Sequence, residues 1–225
     1  MKWDTKLNAD LLKTWKNICH QVNNAPSLQI PRFIGSRSSS YELVAYVDAS
    51  QHMYGSAVYI VDVESQKTSF LLAKNRIVSS VLKTKSIAAL ELLAVELGTI
   101  ILQNLKEELS GSRTCNPIKI TKLRVFTDSS IALDWITAYN RTYAKMNGKS
   151  VFVMNRLGNI SKQCSKYPIE YSFVSGAENP ADCRVFELQS GPFRTKFCLS
   201  RVFGRARFCQ TTRKILKLLW YQTLI

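Results

Sequence analysis

Two strand-forming runs in this chain end in an aspartate. The first is Leu43-Val44-Ala45-Tyr46-Val47-Asp48-Ala49-Ser50. The second, Leu123-Arg124-Val125-Phe126-Thr127-Asp128-Ser129-Ser130, repeats the arrangement eighty residues on. A carboxylate at the end of a buried strand is costly unless something compensates it. A divalent cation is one compensator, and two carboxylates placed this way can share it. Two further acids fall where they can join them. Glu91 lies one step from the apolar stripe of a long helical run, where Leu90 and Leu92-Leu93 would hold it against a sheet. Asp182 stands at the start of a last helical segment. Four carboxylates from two strand ends and two helices repel one another and suit two Mg²⁺ or Mn²⁺ ions. Such a pair activates a water and stabilises the leaving oxygen in phosphodiester cleavage. The candidate catalytic and metal-ligating residues are therefore Asp48, Glu91, Asp128 and Asp182. Each also has a plainer role open to it: strand-end turn for the two aspartates, helix surface for Glu91, helix N-cap for Asp182.

The elements that must position these acids follow from periodicity. Trp3, Leu7, Leu11, Leu12, Trp15 and Ile18 recur at helical spacing over residues 3–22, until Asn23-Asn24-Ala25-Pro26 ends the run. A Ser-rich stretch, 36–40, is the candidate linker. Strands are expected at 41–48, 56–61 and 68–74, with turns at 51–55 and 62–67, which makes an antiparallel meander. A loop at 79–85 leads into a helix at 86–105 with Ile87, Leu90, Leu93, Ala94, Leu97 and Ile101 as its stripe. A fourth strand at 119–127 precedes a helix that Ser129 and Ser130 can cap, with Ile131, Leu133, Trp135 and Ile136 inward. A short helix at 151–161, a fifth strand at 168–174 and a helix opening at 178–182 complete the order. The result is an α/β fold: a mixed five-stranded sheet, three antiparallel strands then strand-helix crossovers, flanked by helices. In such an order strands one and four can be parallel neighbours, and sites often lie at the carboxyl ends of strands. Glu96, five residues past Glu91, faces elsewhere and reads as structural. Asp134 reads as solvated or paired with a lysine, His52 as a turn residue and His20 as a helix-end residue. Trp3, Trp15 and Trp135 fit core stripes.

With 225 residues and 46% hydrophobic composition, the chain is long enough for one good core. No apolar run approaches the roughly 18 residues that span a bilayer, and the start lacks a signal pattern, so an intracellular protein with no membrane partner is expected. Six scattered cysteines without a CxxC pair, and two histidines, argue against a zinc site or a disulfide framework and for reduced thiols. The net charge of +15 points to a polyanion, nucleic acid first. The stretch from residue 184 holds nine of the 31 Lys/Arg and one of the 16 acids, so about half the excess sits in the last fifth of the chain. Within it, Ile215, Leu216, Leu218, Leu219 and Trp220 form an amphipathic basic segment.

Taken in order, Tyr46-Val47-Asp48-Ala49-Ser50, Ala89-Leu90-Glu91-Leu92, Phe126-Thr127-Asp128-Ser129 and Asn179-Pro180-Ala181-Asp182 resemble the four motifs of the ribonuclease H domain of retroelement polyproteins, in particular the Pao/BEL group of LTR retrotransposons. Trp135-Ile136 resembles the Ile-Trp-containing helix of that group. The Trp3-Asp4 helix and Ile30-Pro31-Arg32 resemble the connection that follows its reverse transcriptase. In that group the corresponding region goes by the name of a Pao retrotransposon peptidase, yet this chain carries no Asp-Thr/Ser-Gly protease signature. The resemblance spans residues 1–183 and implies a helical connection at 1–35 and a ribonuclease H-like domain at 41–183; the basic tail at 184–225 matches nothing in that family and reads as frameshifted or disordered. It implies Asp48, Glu91, Asp128 and Asp182 as ligands of two Mg²⁺ or Mn²⁺ ions. It also implies hydrolysis of the RNA strand of RNA–DNA hybrids, with reverse transcriptase and integrase parts of a parent polyprotein as partners. Selectivity for RNA would rest on 2′-hydroxyls read through the shallow minor groove. After Asp182 the text departs from the family, which continues with Ser-Arg or Thr-Arg and a helix, whereas this chain has Cys183-Arg184-Val185-Phe186. A nuclease-inactive domain that binds nucleic acid or tethers polyprotein parts is the alternative. A transposase or integrase is the third, disfavoured because its last carboxylate comes late.

Overall fold

The computed structural model describes residues 6–24, 40–111, 117–141 and 148–182. The chain divides into two compact units, Met1–Ile30 and Pro31–Ile225. In the first, helix α1 spans Ala9–Asn23. It starts later than residue 3 because Asn8 caps it, its side-chain oxygen accepting the Leu11 N–H at 2.8 Å. None of its residues is buried, and Trp15 is 56% exposed, so the expected core role of that tryptophan does not hold. Trp3 lies outside the described residues.

The second unit is built on a five-stranded sheet of order β3-β2-β1-β4-β5. The strands are β1 Tyr41–Ala49, β2 Met53–Asp62, β3 Thr68–Ile77, β4 Ile120–Thr127 and β5 Glu170–Phe173. β1 pairs antiparallel with β2 and parallel with β4, and β5 joins β4 in parallel. The mixed sheet inferred from element order is thus present. Alternation along β1 sends Leu43, Ala45 and Val47, all fully buried, to one face. The other face carries a row of rings: Phe126 stacks on Tyr46, Tyr46 meets Tyr59 edge-on, and Tyr59 meets Phe70.

Boundaries shift where side chains bind backbone. The first hairpin turn is tighter than 51–55: Ser50 Oγ accepts from the His52 and Met53 N–H groups, and β2 begins at Met53. Gly55 is consequently a strand residue, where a Cβ would come within 2.2 Å of Asn75 Oδ1. The 79–85 loop contains a 3₁₀ turn, Leu82–Thr84. β3 runs three residues past the expected end, and β5 is shorter than 168–174.

Helix α2, Ile87–Ser110, begins where Ser86 Oγ accepts the Ala89 N–H. It is five residues longer than expected at its end and is buried nearly all round rather than along one stripe; Ile87, in its first turn, is instead 43% exposed. Contrary to the hydropathy expectation, α2 is long and apolar enough to cross a membrane; here it is the core helix, with 78% of its most apolar window buried. Its buried polar residues explain the second buried side. Glu96 accepts from Arg156 at 2.9 Å and from Asn159 at 2.7 Å, both on α4 (Val151–Cys164). Thr99 bonds the Tyr171 hydroxyl on β5, and Gln103 Nε2 donates to the Tyr167 carbonyl. Helix α3, Ser130–Arg141, is capped by Ser129 and buries Ala132 and Ile136, while Ile131 points outward at 50% exposure. The expected inward set was therefore rotated: a helix packing through positions 132 and 136 turns 131 to solvent. Trp135 is half-buried against this core.

The segment after β5 forms a 3₁₀ turn, Gly176–Glu178, in place of a helix opening at 178. Pro180 accounts for this, because the residue before a proline is driven from the helical region, and Asn179 is extended at φ −76°, ψ 109°. The flank from Cys183 onward, including the Trp220 segment, lies outside the described residues.

Gly98 sets how closely α2 approaches the sheet: a Cβ there would lie 2.6 Å from Val47 Cγ1. Val47 is β-branched and fully buried, so it cannot turn aside. Replacing Gly98 by Ala is expected to lower stability by about 1–2 kcal/mol despite the better helix propensity of alanine. Urea denaturation of Gly98→Ala, Val47→Ala and the double variant checks this. The double variant should be less destabilised than the two single changes added together, and a stabilised Gly98→Ala would refute the close approach.

Candidate metal centre

Asp48 is the penultimate residue of β1, and Asp128 directly follows β4. These strands are parallel and register Tyr46 opposite Phe126, so both chains reach their acid at the same end of the sheet. An antiparallel pair would have sent the two carboxylates to opposite ends. Glu91 arrives from the second turn of α2 and is 7% exposed. One carboxylate oxygen from each of Asp48, Glu91 and Asp128 lies within 4.8 Å of the others.

Crowding and burial work against ionisation. Burial first, then the charges of Asp48 and Asp128, raise Glu91 from an ordinary 4.5 to about 8, against a lowering hydrogen bond from the Ala49 backbone; Asp182 adds a smaller push. Burial, then Asp128 and Asp182, raise Asp48 to about 6. Asp128 is also raised, by burial and by Asp182. Such shifts cluster where carboxylates are built to receive a proton or a cation.

The donor set decides between these. Glu91 Oε2 is buried with no hydrogen-bond partner. A buried carboxylate oxygen without a donor is expensive, and a cation shared with Asp48 and Asp128 would satisfy it. The cluster is all oxygen, with neither histidine nor cysteine, a donor set that suits a hard cation.

Asp182 stands apart. It is outside the 4.8 Å group, yet its charge raises Asp48, Glu91 and Asp128. The segment that carries it passes beside Asp128, where a Cβ on Gly176 would lie 3.0 Å from Oδ2. Of the other acids, Glu96 is held by α4 and Asp134 is exposed on α3. His52 is exposed in the first hairpin turn. Asn179 received no role from the sequence. It is 5% exposed, and its amide donates to the Val47 carbonyl at 2.9 Å, one residue before Asp48. Its signal in the sequence is its place at the head of the Asn179-Pro180-Ala181-Asp182 motif, which gives it no role of its own.

A mixed sheet of this order, with a core helix delivering an acid to the ends of its two central parallel strands, is the ribonuclease H-like fold. The family model described as the Pao retrotransposon-like RNaseH-like domain matches residues 1–132. The chain belongs to that family, and the matched span includes Asp48, Glu91 and Asp128 but not Asp182. No curated protein matches the chain. Among solved structures, it is similar to the N-terminal RNase H domain of a Mycobacterium tuberculosis protein solved as a fusion with maltose-binding protein. That likeness is at 12% identity, over 63% of this chain and 86% of that one, with TM-score 0.41. It is also similar to the prototype foamy virus protease-reverse transcriptase, at 15% identity over 67% of this chain and TM-score 0.43. A foamy viral protease-reverse transcriptase in complex with an RNA/DNA hybrid matches at 12% identity over 76% of this chain, with TM-score 0.35. The matches span 20% and 24% of those viral chains.

In the metal-free protein, ionising Glu91 opposes folding, because its folded value lies above its unfolded one. Its contribution is intact below the unfolded value near 4.5 and is lost as pH rises through about 8. Glu91→Gln, neutral throughout, is expected to melt higher than the unaltered protein at pH 9 with chelator by a few degrees, on the order of 1–2 kcal/mol, and equally at pH 4. Mg²⁺ should raise the melting point of the unaltered protein and not that of Glu91→Gln. Thermal unfolding at both pH values checks the assignment, and equal melting of the two proteins at pH 9 would exclude it.

Proposed function

We propose that this protein is a metal-dependent ribonuclease H that hydrolyses the RNA strand of RNA–DNA hybrids within a retroelement polyprotein. The observation that carries the reading is the convergence of Asp48, Glu91 and Asp128, with Glu91 Oε2 buried and unsatisfied. Membership of the Pao retrotransposon-like family adds to it. The domain is taken as residues 41–183, preceded by a connection at 1–35 and followed by a basic tail from 184. Reverse transcriptase and integrase are the polyprotein partners, and the setting is intracellular.

Asp48, Glu91 and Asp128 would hold the ions, and Asp182, whose charge reaches all three, would complete the set. Two Mg²⁺ or Mn²⁺ ions there supply an activated water and charge stabilisation of the departing oxygen. The side chains themselves stay unprotonated acceptors that orient the ions: Glu91 is fixed by the packing of α2, Asp48 and Asp128 by strand pairing. Nucleic acid as the ligand is supported by the +15 charge and by cations set over rings beside α2, α3 and α4. Lys149 Nζ stands 4.9 Å from the Trp135 ring centre, and Lys85 Nζ 5.5 Å from that of Phe152.

A labelled RNA–DNA hybrid incubated with Mg²⁺ or Mn²⁺ should be cut in the RNA strand only. Asp48→Asn should slow cutting about 10²–10³-fold, the several kcal/mol that an ion contributes. Tight hybrid binding without cleavage by the unaltered protein would sink the enzymatic reading and leave a nucleic-acid-binding or tethering domain.

A further inference from the structure

We propose that Asn179 is the positioning residue that brings the Asp182 carboxylate to the acidic group, by clamping the 174–182 segment onto β1 next to Asp48. The inference rests on the reading of Asp182 as a ligand under Proposed function and adds a residue that this reading does not assign.

Three bonds of Asn179 converge on this task. Its Nδ2 donates to the Val47 carbonyl at 2.9 Å, across 132 residues of sequence. Its Oδ1 accepts the Ala181 N–H at 3.0 Å. Its main-chain carbonyl accepts the Asp182 N–H at 3.1 Å. One side chain thus grips the strand that carries Asp48 and folds the chain towards Asp182. The segment is tied at its other end too, where the Val174 N–H donates to the Thr127 carbonyl at 3.0 Å, one residue before Asp128. Gly176 lets the backbone pass beside Asp128. The segment therefore carries one tie beside each strand-end aspartate.

The chemistry requires an amide. The position needs a donor for Val47 and an acceptor for Ala181 on the same short side chain; aspartate lacks the donor and leucine lacks both. Burial makes the demand strict, because a lost partner leaves the Val47 carbonyl unsatisfied. Pro180 holds Asn179 extended, so the side chain starts from a backbone already aimed away from the 3₁₀ turn. The clamp acts on the metal site through Asp182. The supports of α2, β1 and β2 are independent of it, since Glu91 and Asp48 are set by core packing and sheet pairing.

The test uses the full chain with Asn179→Ala, Asn179→Ser and Asp182→Asn, read by hydrogen exchange and by Mn²⁺ titration followed by calorimetry. Asn179→Ala is expected to speed exchange within 174–182 and leave α2 and β1 protected as before. Its weaker Mn²⁺ site should lose about 10–100-fold in affinity, as an orienting partner does. Asp182→Asn should lose as much, and the double variant no more than either. Unchanged exchange in 174–182 overturns the clamp. So does full Mn²⁺ affinity in Asn179→Ala alongside reduced affinity in Asp182→Asn. If Asn179→Ala does not fold, Asn179→Ser decides, since serine can still accept from Ala181 but cannot reach Val47. Should the unaltered chain bind no Mn²⁺, the metal reading under Proposed function falls, and the exchange arm alone decides the clamp.

Discussion

The structure depends on holding the Glu91 carboxylate, almost wholly buried, against the ends of two parallel strands that each present another carboxylate. Burial first, and then their mutual repulsion, disfavours the charged forms of Glu91 and Asp48. Hydrophobic packing keeps them together. Leu90, Leu92 and Leu93 flank Glu91 and are buried, so the helix cannot turn the acid outward without exposing them.

α2 can hold Glu91 there because it is fastened on two sides. Towards the sheet it approaches closely enough that Gly98 has no room for a side chain beside Val47. Elsewhere along the helix Glu96 binds α4, while Thr99 and Gln103 bind the edge strand β5 and the loop before it. Polar residues that look like surface positions in an amphipathic reading are interior contacts here. They tie the late part of the chain to the core helix, so β5 and the Asp182 segment begin from a fixed point. Arg156 remains 30% exposed while it pairs with the buried Glu96, so its charge keeps part of its hydration as it satisfies the carboxylate.

The opposite face of the sheet has a different character. Tyr46, Tyr59, Phe70 and Phe126 run across four strands as contacting rings, and Tyr46 and Phe126 lie two residues before Asp48 and Asp128. Farther along the same face Arg124 bridges Glu42 and Glu170, joining β1, β4 and β5. Cross-strand pairs of this kind pin register. Register matters here because a one-residue slip of β4 would carry Asp128 to the other face and break up the acidic group.

Much of this was legible in the chain itself. Strand-forming runs marked every strand, the order of elements implied a mixed sheet, and the two strand-end aspartates with Glu91 could be read as partners, because two end such runs and the third sits beside an apolar stripe. Element ends were less legible: Ser50 and Asn8 move boundaries by several residues through single side-chain bonds, whereas the cap at Ser129 falls where the sequence placed it. The second buried side of α2, the outward turn of Ile131 and the exposure of Trp15 were not legible, since each depends on what packs against the helix rather than on its own pattern. By itself the sequence determined which acids could meet and in what fold. Only the tertiary structure decided that Asp48, Glu91 and Asp128 come within one ion's reach while Asp182 stands outside that group, fastened through Asn179. The reason is physical: periodicity is a local property, whereas the bond from Asn179 to Val47 joins residues 132 apart and exists only once the sheet has formed.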